Sequence, residues 1–163
     1  MSEKSPYLVD AHRLADVISA IQVMGTYKFY KLPFDGWADR ISGDSSRGAY
    51  WQNIFEQHPE FFRLDGPRER ASLVWRRQYP KRFHVDEERA LTKPEYGAMD
   101  DAAKQRVSRV RLTPVDIKTL IDTAINLHSR ALEEQKERRW WLPLASVVGG
   151  LIGGVLGALI GKR

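Results

Sequence analysis

One uncharged run near the end of the chain constrains the fold more than any other feature. From Trp140 to Ile160 the sequence contains no Asp, Glu, Lys or Arg. Residues 142–160 would measure about 28 Å as a helix at about 1.5 Å per residue, which matches a bilayer hydrocarbon core of about 30 Å. A helix buried in a protein core rarely runs so far without a charge. The run therefore predicts a single C-terminal transmembrane helix over residues 140–163.

The residues flanking this run fit a membrane boundary. Arg138 and Arg139 precede Trp140 and Trp141, and cationic and aromatic side chains are typical of the membrane–water interface. The N-terminus carries no apolar signal sequence, so we expect a single-pass protein with its N-terminal domain in the cytoplasm, in a bacterial inner membrane.

Glycines recur at four-residue spacing within the run. They are Gly149, Gly150, Gly153, Gly154, Gly157 and Gly161. Such a stripe lets two membrane helices approach closely, and the run resembles glycine-zipper membrane segments. The resemblance implies self-association into a homo-oligomer, although glycine is also common in membrane helices that have no partner.

Positive charge is concentrated in one segment. The chain has a formal net charge of +5, and residues 63–82 hold seven basic and two acidic side chains, which account for the whole excess. The basic residues are Arg63, Arg68, Arg70, Arg76, Arg77, Lys81 and Arg82. We predict that they form a surface patch that contacts nucleic acid or a protein partner.

Residues 1–85 predict a small α+β domain. Apolar periodicity and breakers indicate helices over residues 10–24, 33–41 and 47–57, a short strand over 27–32, and a hairpin of strands 61–64 and 71–75. This order resembles a winged-helix domain over about residues 8–80. The resemblance implies a helix-turn-helix core whose third helix and hairpin loop, the wing, contact a partner.

The third predicted helix departs from a DNA-binding pattern. Its candidate contact residues are Arg47, Gln52 and Asn53, and the two amides are able to read adenine edges. Arg47 is its only basic residue, so the charge lies on the wing instead. Nucleic-acid binding and protein docking both remain open, with protein contact or a purely structural role favoured.

The remaining chain predicts a connector and a stem. Residues 86–112 are polar and predict a connector packed on the domain. Thr113, Pro114 and Asp116 form a helix-start signal, and no breaker follows until Pro143. We therefore predict an amphipathic stem helix over 113–139, which packs on its own domain or, less commonly, on a neighbouring copy.

Catalytic patterns are not evident. The chain has no cysteine, its four histidines are scattered, and no glycine-rich phosphate loop follows a strand. We predict no enzyme, no metal or other cofactor, and no small-molecule substrate.

These expectations combine into one leading hypothesis and two alternatives. The leading hypothesis is a membrane-anchored cytoplasmic binding and assembly protein, whose head contacts protein or nucleic acid and whose glycine-striped helix self-associates in the lipid bilayer. The first alternative is a membrane-perturbing effector of a toxin or phage-defence type, and the second is a membrane-tethered DNA-binding regulator.

Overall fold

The structure, a computed structural model, describes residues 5–139. Six α-helices lie within these residues: α1 Arg13–Thr26, α2 Phe34–Ser42, α3 Gly48–Gln57, α4 Lys93–Ala98, α5 Asp101–Lys104 and α6 Pro114–Arg139. The strands of the same region are β1 Lys31–Pro33, β2 Phe62–Leu64, β3 Arg70–Leu73, β4 Phe83–His84, β5 Arg89–Ala90 and β6 Val107–Ser108. Short 3-10 turns occupy Pro6–Leu8, Ser45–Arg47 and Trp75–Gln78. The elements up to β3 follow the predicted order.

The first sheet and the first three helices enclose an aromatic core. The sheet is antiparallel with strand order β1-β3-β2, so β3 is central and β2 is an edge strand. The largest buried side chains of this core belong to Trp37, Trp51, Phe55, Phe61 and Phe62. The Trp37 indole Nε1–H donates to the carbonyl of Ala71 at 2.9 Å, which ties α2 to the central strand.

Helix α1 continues past residue 24, where the sequence predicted its end, and includes Gly25. The Leu112 amide donates to the carbonyl of Gly25 at 3.0 Å. A Cβ built on Gly25 would lie 3.1 Å from Cγ1 of Ile117. Glycine is therefore needed here for the close approach of α6 and its preceding segment to α1.

The long helix α6 is part of this core and does not stand apart as a stem. Its N-terminus is capped reciprocally, because Thr113 Oγ1 accepts from the Asp116 amide at 3.2 Å while Asp116 Oδ2 accepts from the Thr113 amide at 3.0 Å. Leu120, Ala124 and Ala131 are buried in the shared core. The apolar stripe of α6 thus packs on its own domain.

Residues predicted as a connector contain most of a second sheet. Strands β4, β5 and β6 form an antiparallel sheet of order β5-β4-β6, with α4 and α5 between β5 and β6. Helix α4 begins with a capping box between Thr92 and Glu95.

The predicted fold class needs correction. No helix within residues 5–139 is both long enough and apolar enough to cross a membrane, because the long helix α6 carries charges such as Asp116, Lys118 and Asp122 along its length. The predicted span, residues 140–163, lies outside the described residues. What the structure supports is a mixed α/β domain with a long final helix. The predicted membrane location, on which the leading hypothesis and both alternatives depend, is corrected with the fold class.

Candidate interaction surface around the β2–β3 hairpin

A tight loop over residues 65–69 joins β2 to β3 and exposes Arg68. The Arg68 amide donates to the Asp65 carbonyl at 3.0 Å, and Asp65 Oδ1 accepts from the amides of Glu69 and Arg70, each at 3.1 Å. Partial burial raises the pKa of Asp65, but these backbone donors and Lys31 outweigh it and hold that pKa below its ordinary value. Asp65 therefore organises the loop as an anion at neutral pH.

Arg68 reaches from this loop to helix α3. Its guanidinium lies 2.9 Å from Glu56 Oε1, and Gln52 Nε2 donates to the same oxygen at 2.9 Å. The hydrogen bond from Gln52, followed by that from Arg68, lowers the pKa of Glu56. The Arg68 backbone has φ 60°, the left-handed region that side chains rarely adopt. We call this bridge the Arg68–Glu56 clasp.

Arg63 and Arg70 lie on the outer face of the first sheet. Both are exposed, and the register places Arg63 beside Ser72 on the central strand. Within residues 5–139 no carboxylate lies within ion-pair distance of either guanidinium. These two arginines are therefore open to an acidic partner as far as the described residues are concerned.

Arg76 is the exception among the predicted patch residues, and we correct its assignment. Its side chain is fully buried, and its guanidinium donates to five backbone carbonyls. The acceptors are Met24, Tyr27, Phe29, Arg109 and Val110. Burial, with smaller effects of the Arg111 and Arg109 charges, lowers the pKa of Arg76 to about 10, so it stays protonated at neutral pH. Arg76 holds the domain together and cannot contact a partner.

The buried Arg76 divides the predicted patch into two groups. Arg63, Arg68 and Arg70 belong to the hairpin. Arg77 lies in the 3-10 turn beyond the other end of β3, and Lys81 and Arg82 follow that turn. Arg77 and Lys81 are exposed, and Arg82 is half-buried. Residues 71–76 separate Arg70 from Arg77 along the chain.

The predicted contact residues of α3 are occupied within the domain. The Arg47 guanidinium stacks 4.3 Å from the ring centroid of Tyr50. Gln52 donates to Glu56, and Asn53 Oδ1 accepts from Gln57 at 3.0 Å. Base reading by the two amides would require these bonds to break.

A groove of about 440 Å³ runs between the end of α3 and the outer edge of β2. Its lining residues are Phe55, Glu56, Pro59, Phe62, Arg63, Leu64, Asp65, Gly66 and Arg68. Aromatic and aliphatic groups thus meet two arginines and two carboxylates along one edge strand. Sequence reasoning missed the groove, although a helix stopped by His58-Pro59 directly before an edge strand was a usable signal.

A second groove differs in charge. It lies between α1 and α6, measures about 500 Å³, and has a single charged lining residue, Lys118. Val23, Ile117 and Ile121 supply its apolar walls. This groove therefore offers one cationic side chain, whereas the groove beside the hairpin offers two arginines together with two carboxylates.

A polar cluster surrounds the fully buried His58 at the C-terminal end of α3. His58 Nδ1 lies 3.0 Å from Glu60 Oε1, which also accepts from the Tyr7 hydroxyl at 3.1 Å. Burial, followed by the Glu60 charge and hydrogen bond, raises the pKa of Tyr7. Within residues 5–139, no group of three or more His, Cys, Asp or Glu side chains is placed to hold a metal ion.

The other predicted site residues cannot be placed. Side chains of Arg138 and Arg139, the tryptophans Trp140 and Trp141, and the six glycines proposed for membrane self-association all lie outside the described residues.

Comparison with known proteins gives no relative. No family model matches the chain, and neither a curated protein nor a solved structure matches it significantly. The resemblances to winged-helix domains and glycine-zipper segments are therefore corrected: no known family supports them, and the order of elements alone does not establish membership.

Proposed function

We propose that this domain is a non-enzymatic binding module that contacts an acidic protein through the β2–β3 hairpin and the neighbouring groove. The observation that carries the proposal is the exposure of Arg63 and Arg70 without a carboxylate partner among residues 5–139, beside a groove where Pro59 and Leu64 expose apolar surface. Exposed arginines next to apolar side chains are typical of protein interfaces.

A protein partner fits this surface better than nucleic acid. Pro59 and Leu64 expose apolar surface at this groove and offer contact that a phosphate backbone does not use. The amides of α3 are engaged with neighbouring side chains.

The first test measures binding of a defined acidic polypeptide to the full chain. Fluorescence anisotropy with labelled polyglutamate should show binding that weakens as salt rises, because exposed charges are screened. The triple variant Arg63→Gln/Arg68→Gln/Arg70→Gln should bind at least about tenfold more weakly, a loss of about 1.4 kcal/mol.

A matched control removes three charges elsewhere. Arg40→Gln/Lys118→Gln/Arg130→Gln has the same net charge but leaves the hairpin intact, so it should bind within about twofold of the natural chain. Equal loss in both triple variants would mean that net charge alone attracts the polypeptide. Tighter binding of random-sequence duplex DNA than of polyglutamate would contradict a protein partner.

A further inference from the structure

The outer edge of β2 offers unpaired backbone groups to the groove. The Val74 amide donates to the Phe61 carbonyl at 2.8 Å, and the Asp65 amide donates to the Arg70 carbonyl at 3.0 Å. Backbone groups alternate in direction along an antiparallel strand, so those of Phe62 and Leu64 point away from β3. The Phe62 amide donates to the His58 carbonyl at 3.0 Å. The Phe62 carbonyl and both backbone groups of Leu64 remain at the edge.

The two faces of this edge strand differ in chemistry. Side chains of Phe62 and Leu64 lie on the inner face and line the groove with Phe55. Arg63 lies on the outer face, opposite Ser72 on the central strand, and Arg70 lies on the same face two residues along β3 from Ser72. A strand added beside β2 would place alternate side chains next to Leu64 on one face and next to Arg63 on the other.

We infer that the groove accepts an extended peptide segment that adds to the first sheet beside β2 and alternates apolar with acidic side chains. This inference rests on the proposed function and names the shape and pattern of the partner. Main-chain hydrogen bonds to Leu64 and Phe62 hold the segment, and the alternation selects it. Its apolar side chains contact Pro59 and Leu64, and its carboxylates face Arg63.

The Arg68–Glu56 clasp lies at the mouth of this groove. A carboxylate of the bound segment competes with Glu56 for Arg68, and the exposed position of Arg68 keeps the cost of that exchange small. The variant Arg68→Gly tests this step without threatening the fold, because glycine adopts φ 60° with less strain than arginine.

The test uses the full chain and synthetic eight-residue peptides with blocked ends. The first peptide alternates glutamate with valine and phenylalanine, and the second has the same composition with its glutamates in one block. We expect the alternating peptide to bind at least about tenfold more tightly, because the block peptide has to give up either apolar or ionic contacts in any register. Arg63→Gln should weaken its binding severalfold, and Arg130→Gln should not.

Backbone methylation of the peptide separates strand addition from mere charge attraction. In an added strand every second peptide amide faces β2, whereas the others face solvent. N-methylation of one alternate set of amides should therefore abolish binding, and methylation of the other set should change affinity by no more than about threefold. The Leu64 amide should become protected from hydrogen exchange when the unmethylated peptide binds.

The remaining outcomes distinguish failure of strand addition from failure of the proposed function. If the block peptide and both methylated peptides bind as well as the alternating one, strand addition is overturned, while loss of binding in the triple arginine variant would leave the proposed function standing. If neither the peptides nor polyglutamate bind, both proposals fail. If duplex DNA displaces the peptide at lower concentration than polyglutamate does, the groove serves nucleic acid and the peptide inference is wrong.

Discussion

The first sheet packs its inner face against helices and buried aromatic rings, whereas the second sheet buries little and is bordered by ion pairs. Trp37, Trp51 and Phe61 are each no more than 2% exposed and belong to one continuous apolar cluster. The second sheet buries Val85 and Val107, which lie outside that cluster. Hydrophobic burial contributes far more free energy than exposed charge pairs, so the two regions should differ in stability.

Ion pairs surround the second sheet. Asp86, in the turn after β4, forms an ion pair with Arg106, which precedes β6. Arg89 on β5 forms ion pairs with Glu87 at 2.7 Å and with Glu95 at 2.8 Å. These side chains are largely exposed and therefore add little to global stability. They do fix the local arrangement of strands that have only two residues each. Local opening is consequently expected here first.

The expected difference in stability is tested most directly by removing one buried side chain from each region. Phe61→Ala should lower the free energy of unfolding by about 3–5 kcal/mol, since it leaves a large cavity in the aromatic core. Val107→Ala removes two methyl groups and should cost about 1.5 kcal/mol or less. Urea denaturation of both variants checks this. Equal losses would show that the second sheet is as tightly coupled to the core as the first.

Arg76 joins the two regions, and its removal should have the next largest effect. Its guanidinium bonds Met24 at the end of α1 on one side and Arg109 after β6 on the other, at 2.9 and 2.7 Å. Arg76→Met keeps the apolar stem but leaves buried carbonyls without donors, which should cost at least about 3 kcal/mol.

The neighbouring residue supplies the control for this change. Arg77→Met alters an exposed side chain of the same type and should stay within about 0.5 kcal/mol of the natural chain. Thermal or urea unfolding of the pair separates a connecting role from a charge effect. A small loss in Arg76→Met, comparable to that in Arg77→Met, would contradict the connecting role.

Sequence reasoning located the first region well because its signals are local and repeated. Helix α3 was expected over 47–57 and spans Gly48–Gln57, since apolar periodicity fixes the body and His58-Pro59 fixes the end. Of the second sheet, the sequence predicts a strand only over residues 83–85, which matches β4; the other strands show no signal, because strands of two residues have no periodicity. Strands β4 and β6 are not adjacent in the sequence and pair only in the folded domain.

For a related reason, the sequence predicted only part of the candidate site. Arg76 and Arg77 are identical in type and adjacent, and only the 3-10 turn that begins at Trp75 decides which one points inward. No pattern in the sequence distinguishes a buried arginine that caps a helix end from an exposed one. The groove likewise depends on where β2 lies relative to α3, which is a tertiary relation.

The smallest expected effect is a local response of the second region to acid. Backbone and side-chain hydrogen bonds from Thr92, together with Arg89, lower the pKa of Glu95 from its ordinary 4.5 to about 2. The Arg106 hydrogen bond likewise holds the pKa of Asp86 below its ordinary value. A carboxylate with a lowered folded-state pKa stabilises the fold above its unfolded pKa. That contribution is lost as pH falls from about 4.5 towards 2.

Acidification within this window should therefore loosen α4 before it affects the aromatic core. The amides of Glu95 and Tyr96 donate to Thr92 at the start of α4. Hydrogen exchange, corrected for intrinsic rates, should show that these two amides lose protection as the pH falls. The Ile54 amide within α3 should stay protected. In Glu95→Gln the same amides should be less protected at pH 5 and should respond less to acid, because the titrating group has been removed. If protection at Ile54 fell together with that at Glu95, the two regions would open as one unit. They would then differ in composition but not in stability.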